Sequence, residues 1–141
     1  MQNEIKQTWR FSQAPEEVWE YLTQPELMEQ WFAKTDFQPV AGAQFRLDGK
    51  GGCVIQCEVL EVKPFTRLVY SWQTTSAKDN ALFDSKVVWT LVPDGQGTEL
   101  QLVHGSFAVV EDYTLHNSGW TKLLNRVGEL LNAKENVRSN A

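Results

Sequence analysis

The sequence predicts an α+β domain. A curved antiparallel sheet of about six to seven strands wraps round a long C-terminal helix, with two short helices after the first strand. Three observations carry this reading. Apolar residues alternate at period two along Ile5–Phe11 and again across most of the stretch from Phe37 to His104. Turn chemistry breaks that second stretch at intervals too short for parallel crossovers. From His116 onward the apolar residues instead recur at steps of three and four.

Each element has its own signal. In the first strand Ile5, Gln7, Trp9 and Phe11 alternate with Lys6, Thr8 and Arg10, which places Trp9 and Phe11 on the inner face. Ala14-Pro15-Glu16-Glu17 then reads as a helix start, because proline suits the first helical position and acids favour the positive end of the helix dipole. Pro25-Glu26 repeats that signal, and Leu27, Met28, Trp31 and Phe32 form a stripe at helical spacing. Strands are expected over Phe37–Val40, Ala43–Asp48, Cys53–Val62, Leu68–Thr74, Ser85–Val92 and Glu99–His104. Ala41-Gly42, Asp48-Gly49-Lys50-Gly51-Gly52, Lys63-Pro64 and Pro93-Asp94-Gly95-Gln96-Gly97 supply the turns. The long helix presents His116, Trp120, Leu123, Leu124, Val127, Leu130 and Leu131 on one face. One domain over residues 1–132 is expected, with a polar tail over 133–141 that frays.

Composition narrows the function classes. The chain has 141 residues, enough for one domain with its own core. A net charge of −5 argues against nucleic acid, whose phosphates demand a clustered surplus of Lys and Arg. No apolar run could span a bilayer and no signal peptide opens the chain, so a cytoplasmic location is expected. Cys53 and Cys57 would share one strand face about 13 Å apart at roughly 3.3 Å per residue, too far for a disulfide. They read as small buried hydrophobes. The Gly49–Gly52 run opens onto a strand and lacks a Gly-Lys-Ser/Thr ending, so it is a hairpin turn and not a phosphate loop. No Gly-x-Ser-x-Gly elbow, no metal-ligand spacing and no cofactor motif is present, and neither metal nor cofactor is expected.

The distinctive feature is aromatic: 6 Trp, 7 Phe and 3 Tyr. Alternation directs Tyr70, Trp72, Trp89, Leu102 and His104 to one side of the sheet. His116, Trp120, Leu123 and Val127 look back from the long helix. These rings either close-pack into a core or wall a pocket, mostly apolar with a few convergent polar groups. Trp9, Trp31, Phe32 and Phe107 complete the set expected at such a pocket. His104 and His116 are the sharpest polar candidates. Either could be a hydrogen-bonded structural histidine, or the two could orient a ligand and exchange protons with it.

The ordered motifs resemble a known family. Ala14-Pro15-Glu16-Glu17-Val18-Trp19, Pro25-Glu26-Leu27 and Trp31-Phe32 look like the opening of START-like (SRPBCC) domains. More narrowly, they are similar to the branch named after the C-terminal domain of the activator of the heat-shock chaperone ATPase. Phe45-Arg46 with Asp48-Gly49, Glu58–Val62 before Pro64, and Arg67–Trp72 agree in order and spacing. So do Val87–Leu91, Gly97–Leu100, Leu102-Val103-His104, and Gly119-Trp120 with Leu123 and Leu124. The resemblance covers about residues 5–131 and implies a helix-grip fold with a hydrophobic cavity between sheet and long helix. It departs at His104-Gly105-Ser106-Phe107, where relatives often carry His-Ser-Gly-Phe, so the direction of Phe107 is expected to differ.

The function expected is binding of a small apolar or aromatic molecule, without catalysis. Two alternatives stand beside it: a cyclase- or lyase-like enzyme using His104 and His116 on a polyketide-like substrate, and a chaperone-associated stress protein. Co-chaperone relatives carry a separate N-terminal chaperone-binding domain that this sequence does not show, so a chaperone partner is not expected. A homodimer is compatible with the sequence.

Overall fold

The computed structural model describes residues 4–49 and 54–139, with side chains as far as residue 135. The elements run in the order β1 (Ile5–Phe11), α1 (Pro15–Thr23), α2 (Pro25–Trp31), β2 (Lys34–Thr35), β3 (Gln44–Asp48) and β4 (Val54–Lys63). After them come β5 (Arg67–Thr75), β6 (Leu82–Asp94), β7 (Gly97–Gly105) and α3 (Val110–Ser139). The result is an α+β helix-grip fold.

Proline sets the helix boundaries. Pro15 occupies the start of α1, and Pro25 both ends α1 and starts α2. The residue before a proline is driven out of the helical region. Gln24 accordingly lies extended at φ −97, ψ 121 and serves as the junction of the two helices. Trp31 closes the pair from the other end, its indole N–H donating to the carbonyl of Tyr21 at 2.8 Å.

The strands form one antiparallel seven-stranded sheet in the order β1-β7-β6-β5-β4-β3-β2. Strands β2 to β7 are a meander, and β1 returns to the far edge by pairing with β7, Ile5 opposite His104. The inward faces of β5, β6 and β7 bury Leu68, Tyr70, Trp72, Val87, Trp89, Leu91, Leu100, Leu102 and His104. Helix α3 covers them with Trp120, Leu124, Val127 and Leu131. Arg46 and Gln56 fall on the exposed face opposite Phe45, Leu47, Ile55 and Cys57, as the alternation predicts. No helix among the described residues is long and apolar enough to cross a membrane.

Two elements differ from expectation. Phe37–Val40 is not a strand; the short β2 lies earlier, at Lys34–Thr35. The ladder stops because the Asp36 carboxylate accepts the Arg46 backbone N–H at 2.8 Å, in place of a main-chain partner. Pro39 then offers no N–H to resume it. Phe37 still enters the core, edge-on to Phe45 with ring centroids 4.8 Å apart. At the C-terminus α3 is helical through Ser139, over residues from Ala133 onward that were expected to form a fraying polar tail. Cys53 and residues Lys50 to Gly52 of the glycine run lie outside the described residues. Cys57 is buried, and burial pushes its thiol up to about 12, the behaviour of a small inert hydrophobe.

The β6–β7 hairpin supplies a test of the packing. Gly95 takes φ 61, in the left-handed region, and Gly97 begins β7 directly against the carbonyl of Phe11 at the end of β1. A methyl group at position 97 would drive into that rigid backbone oxygen. Gly97→Ala should therefore cost about 1–3 kcal/mol, measured by urea denaturation; a variant as stable as the parent would contradict this close approach.

Candidate functional site

The principal cavity, about 680 Å³, opens to solvent between the end of α2, the middle of α3 and the ends of β4 and β5. Its wall is built from rings. Trp31 and Phe32 stack at 4.8 Å, Phe32 lies 6.0 Å from Trp72 and 5.4 Å from Trp120, and Trp72 and Trp120 are 5.4 Å apart. Trp72, Trp120 and Trp89, which lies 5.3 Å from Trp120, interlock into a solid floor, and the open space lies above that floor. Gly119 explains part of the space. It faces the cleft from α3, and a Cβ placed there would meet nothing within 4 Å.

Beneath the cleft, a directed hydrogen-bond chain fastens the helix to the sheet. Trp120 Nε1–H donates to His104 Nδ1 at 2.9 Å. An indole nitrogen can only donate, so His104 carries its own proton on Nε2. That Nε2–H donates to Ser85 Oγ at 2.8 Å, and the Ser85 hydroxyl in turn donates to the Trp72 carbonyl at 3.2 Å. Every polar atom in the chain has one consistent role. Burial, followed by the neighbouring His116, pushes the His104 imidazole down to about 3, so the ring is neutral.

His116 is placed differently. Its Nδ1–H donates to the carbonyl of Asp112 at 2.8 Å, one turn back on α3, which leaves Nε2 as a bare acceptor. Burial lowers its pKa, partly opposed by the Asp112 carbonyl and carboxylate. Asp112 is itself buried and locks the β5–β6 loop to the start of α3. It accepts the Ser76 hydroxyl at 2.6 Å and the Ala77 N–H at 2.8 Å. The Asp112 carboxylate thus sets the loop against the helix start, while its backbone carbonyl holds the His116 ring.

Of the residues expected at a pocket, Trp31, Phe32, Trp72, His116, Trp120 and Leu123 line the cleft. The others do not. Tyr70 and Trp89 are spent on each other, the indole N–H donating to the phenol at 3.0 Å, and burial drives the Tyr70 hydroxyl pKa upward. Leu102 and Val127 are fully buried core. His104 lies below the cleft with both ring nitrogens engaged in hydrogen bonds. Phe107 turns inward and packs 4.9 Å from His104 and 5.1 Å from His116. Trp9 sits on the other side of α3, in a small polar groove with Asn125 and Asn132, its N–H donated to Gln7. Sequence reading missed Gly119, Ile55, Thr74, Lys122 and Arg126 at the cleft, and Asp112 behind it. Gly119 adjoins Trp120 in a motif already noted; Lys122 and Arg126 are polar positions on the helix with no signal of their own. Among the described residues no three His, Cys, Asp or Glu side chains converge to hold a metal.

A helix-grip domain with an aromatic cleft between sheet and C-terminal helix is a START-like protein. The chain belongs to the family described as "Activator of Hsp90 ATPase homolog 1-like protein", which matches residues 12–132. Among solved structures it is similar to protein MLL2253 from Mesorhizobium loti, 32% identical, covering 92% of this chain and 97% of that one with a TM-score of 0.87. CalU16 from Micromonospora echinospora is 27% identical, covering 89% and 74%, with a TM-score of 0.76. The Aha1 dimer from Colwellia psychrerythraea, 17% identical over 89% and 93% with a TM-score of 0.74, shares the fold. No curated protein matches the chain.

The two tautomers lead to a test. Between the ordinary imidazole pKa of 6.5 and about 3, the unfolded chain binds a proton at His104 that the native protein refuses. Stability therefore falls as pH drops through that window, by up to about 1.4 kcal/mol per pH unit from this group. Melting temperature should decline steadily from pH 7 to pH 5. Nitrogen–proton NMR at pH 6 should show His104 protonated on Nε2 and His116 on Nδ1; an imidazolium at His104 would refute the hydrogen-bond chain.

Proposed function

We propose that the protein binds a small, ring-containing apolar molecule in the cleft between α2, α3 and the β4–β5 end of the sheet. The carrying observation is a solvent-reachable space of about 680 Å³ walled by Trp31, Phe32, Trp72 and Trp120. Ligand sites commonly measure roughly 300–1,000 Å³ and are apolar with few polar groups. Aromatic walls favour a flat guest, because ring pairs attract in offset and edge-on arrangements. Glu29, Lys122 and Arg126 form a polar rim around the apolar interior. With His104 consumed by internal hydrogen bonds, nothing favours proton-transfer catalysis by the histidine pair, so binding without turnover is the reading supported best.

Gly119 makes the reading testable without damaging the fold. Gly119→Leu should fill the cleft while stabilising α3, since glycine costs a helix about 0.8–1.0 kcal/mol relative to alanine and leucine is close to alanine. Native mass spectrometry and thermal shift against a panel of apolar aromatic compounds should give hits with the parent and none with the variant. A panel that binds neither protein, or binds both equally, would remove the cleft as the site.

A further inference from the structure

The cleft is polarised along α3. His116, Gly119, Leu123 and Arg126 line it and recur at steps of three and four, so one stripe of the helix borders it from end to end. At about 1.5 Å of rise per residue that stripe is roughly 15 Å long. Its two ends differ. At the first, Leu115 is exposed, and burial holds the His116 imidazole below its ordinary range, so this end carries no charge at neutral pH. At the second, Lys122 and Arg126 stand one turn apart, both exposed to solvent. Neither makes an ion pair or hydrogen bond among the described residues. Elsewhere Arg10, Arg46, Arg67 and Lys134 each meet a carboxylate, at 2.8, 3.1, 3.1 and 3.9 Å. Glu29 is the acid among the described lining residues, and it pairs with neither cation.

Resting on the cleft reading above, we infer that the ligand is an amphipathic monoanion, an aromatic carboxylate whose rings lie in the cleft and whose carboxylate meets Lys122 and Arg126 at its mouth. Like charges one turn apart repel, so the pair costs the free helix a little stability. A chain of net charge −5 keeps this pair unneutralised beside its largest apolar opening. The guanidinium fork of Arg126 suits the two oxygens of a carboxylate, and Lys122 adds a point charge on a flexible stem. Both side chains are exposed, so an anion reaches them at the rim without entering the tryptophan floor. The apolar body then extends past Gly119 toward the uncharged end at His116. Charge balance sets the valence. Two cations less the one carboxylate of Glu29 leave one positive charge, which a monoanion neutralises. A phosphate monoester, at about −1.5 to −2, would exceed it. A cationic guest would face repulsion from both side chains.

The experiment compares three probes of one shape, 2-naphthoate, 2-naphthalenemethanol and 2-naphthylmethylammonium, by titration calorimetry at pH 7.5. In low salt, naphthoate should bind about fivefold more tightly than the neutral alcohol, the scale of two solvent-exposed ion pairs, and the ammonium more weakly than either. Raising salt to about 0.5 M should shrink the naphthoate advantage and leave the alcohol unchanged. Lys122→Gln with Arg126→Gln should reduce the advantage to about twofold or less. Glutamine is close to both cations in helix propensity, so α3 is retained. Glu29→Gln should tighten naphthoate about twofold by removing the opposing carboxylate. Naphthoate binding no more tightly than the alcohol, an ammonium that binds tightest, or an advantage that survives in the double variant overturns this inference. The cleft reading stands in those cases if the alcohol binds the parent and not Gly119→Leu. No binding by any probe, in a protein that also gives no hits with the wider panel, overturns both.

Discussion

The fold is organised round a buried neutral imidazole. His104 sits in β7, diagonal across the sheet from Ser85 of β6, and receives the indole N–H of Trp120 from α3. A helix laid over a curved sheet could slide along it, because hydrophobic contact is not directional. The chain from Trp120 through His104 and Ser85 to the Trp72 carbonyl is directional, and it fixes the rotation and height of α3 at one point. Every donor in it faces an acceptor, so burial strengthens the network without leaving a polar atom exposed to hydrocarbon.

The position of the cleft follows from that fixed point. Around Trp120 the rings close up: Trp89 lies edge-on at 5.3 Å and Trp72 at 5.4 Å, which leaves no space between helix and sheet there. Toward α2 the helix surface falls away at Gly119, while Phe32 and Trp31 stand up on the opposite side. Helix α2 is held rigidly against α1 by the Trp31–Tyr21 hydrogen bond and the shared Gln24 junction. The opening is therefore a wedge between stiff walls, shut at the tryptophan floor and open at the polar rim.

The fold was readable because its signals are local. Period-two alternation located the long strands, proline located both short helices, and steps of three and four located α3. The edge failed where a side chain replaced main chain: Asp36 taking the Arg46 N–H has no signature in the alternation of Phe37–Val40. The site was half legible for a related reason. Parity tells which face a strand residue occupies, and it put Tyr70, Trp72, Trp89, Leu102 and His104 on the inner face. It does not tell how far along the helix each lies. Distance from the Trp120 contact decides which rings are floor and which are wall, and that depends on packing between elements far apart in sequence. Gly119 is invisible to a search for rings because its contribution is the ring it does not have.

Natural chains tend to satisfy every local rule except where something outside the fold completes them. Three departures meet in this cleft. A glycine stands inside a helix with open space before it, an indole N–H is buried without an acceptor, and the His116 imidazole spends its Nδ1 on a backbone carbonyl. Each could be removed by a single side chain: alanine at 119, phenylalanine at 72 or at 116. The neighbouring rings His104, Trp89 and Trp31 have paired polar atoms, while two further buried atoms away from the cleft, Gln13 Oε1 and Thr35 Oγ1, also lack a hydrogen-bond partner among the described residues. Departures of this kind gathered in one region are what a surface completed from outside the fold would require, and they favour the binding reading proposed for the cleft.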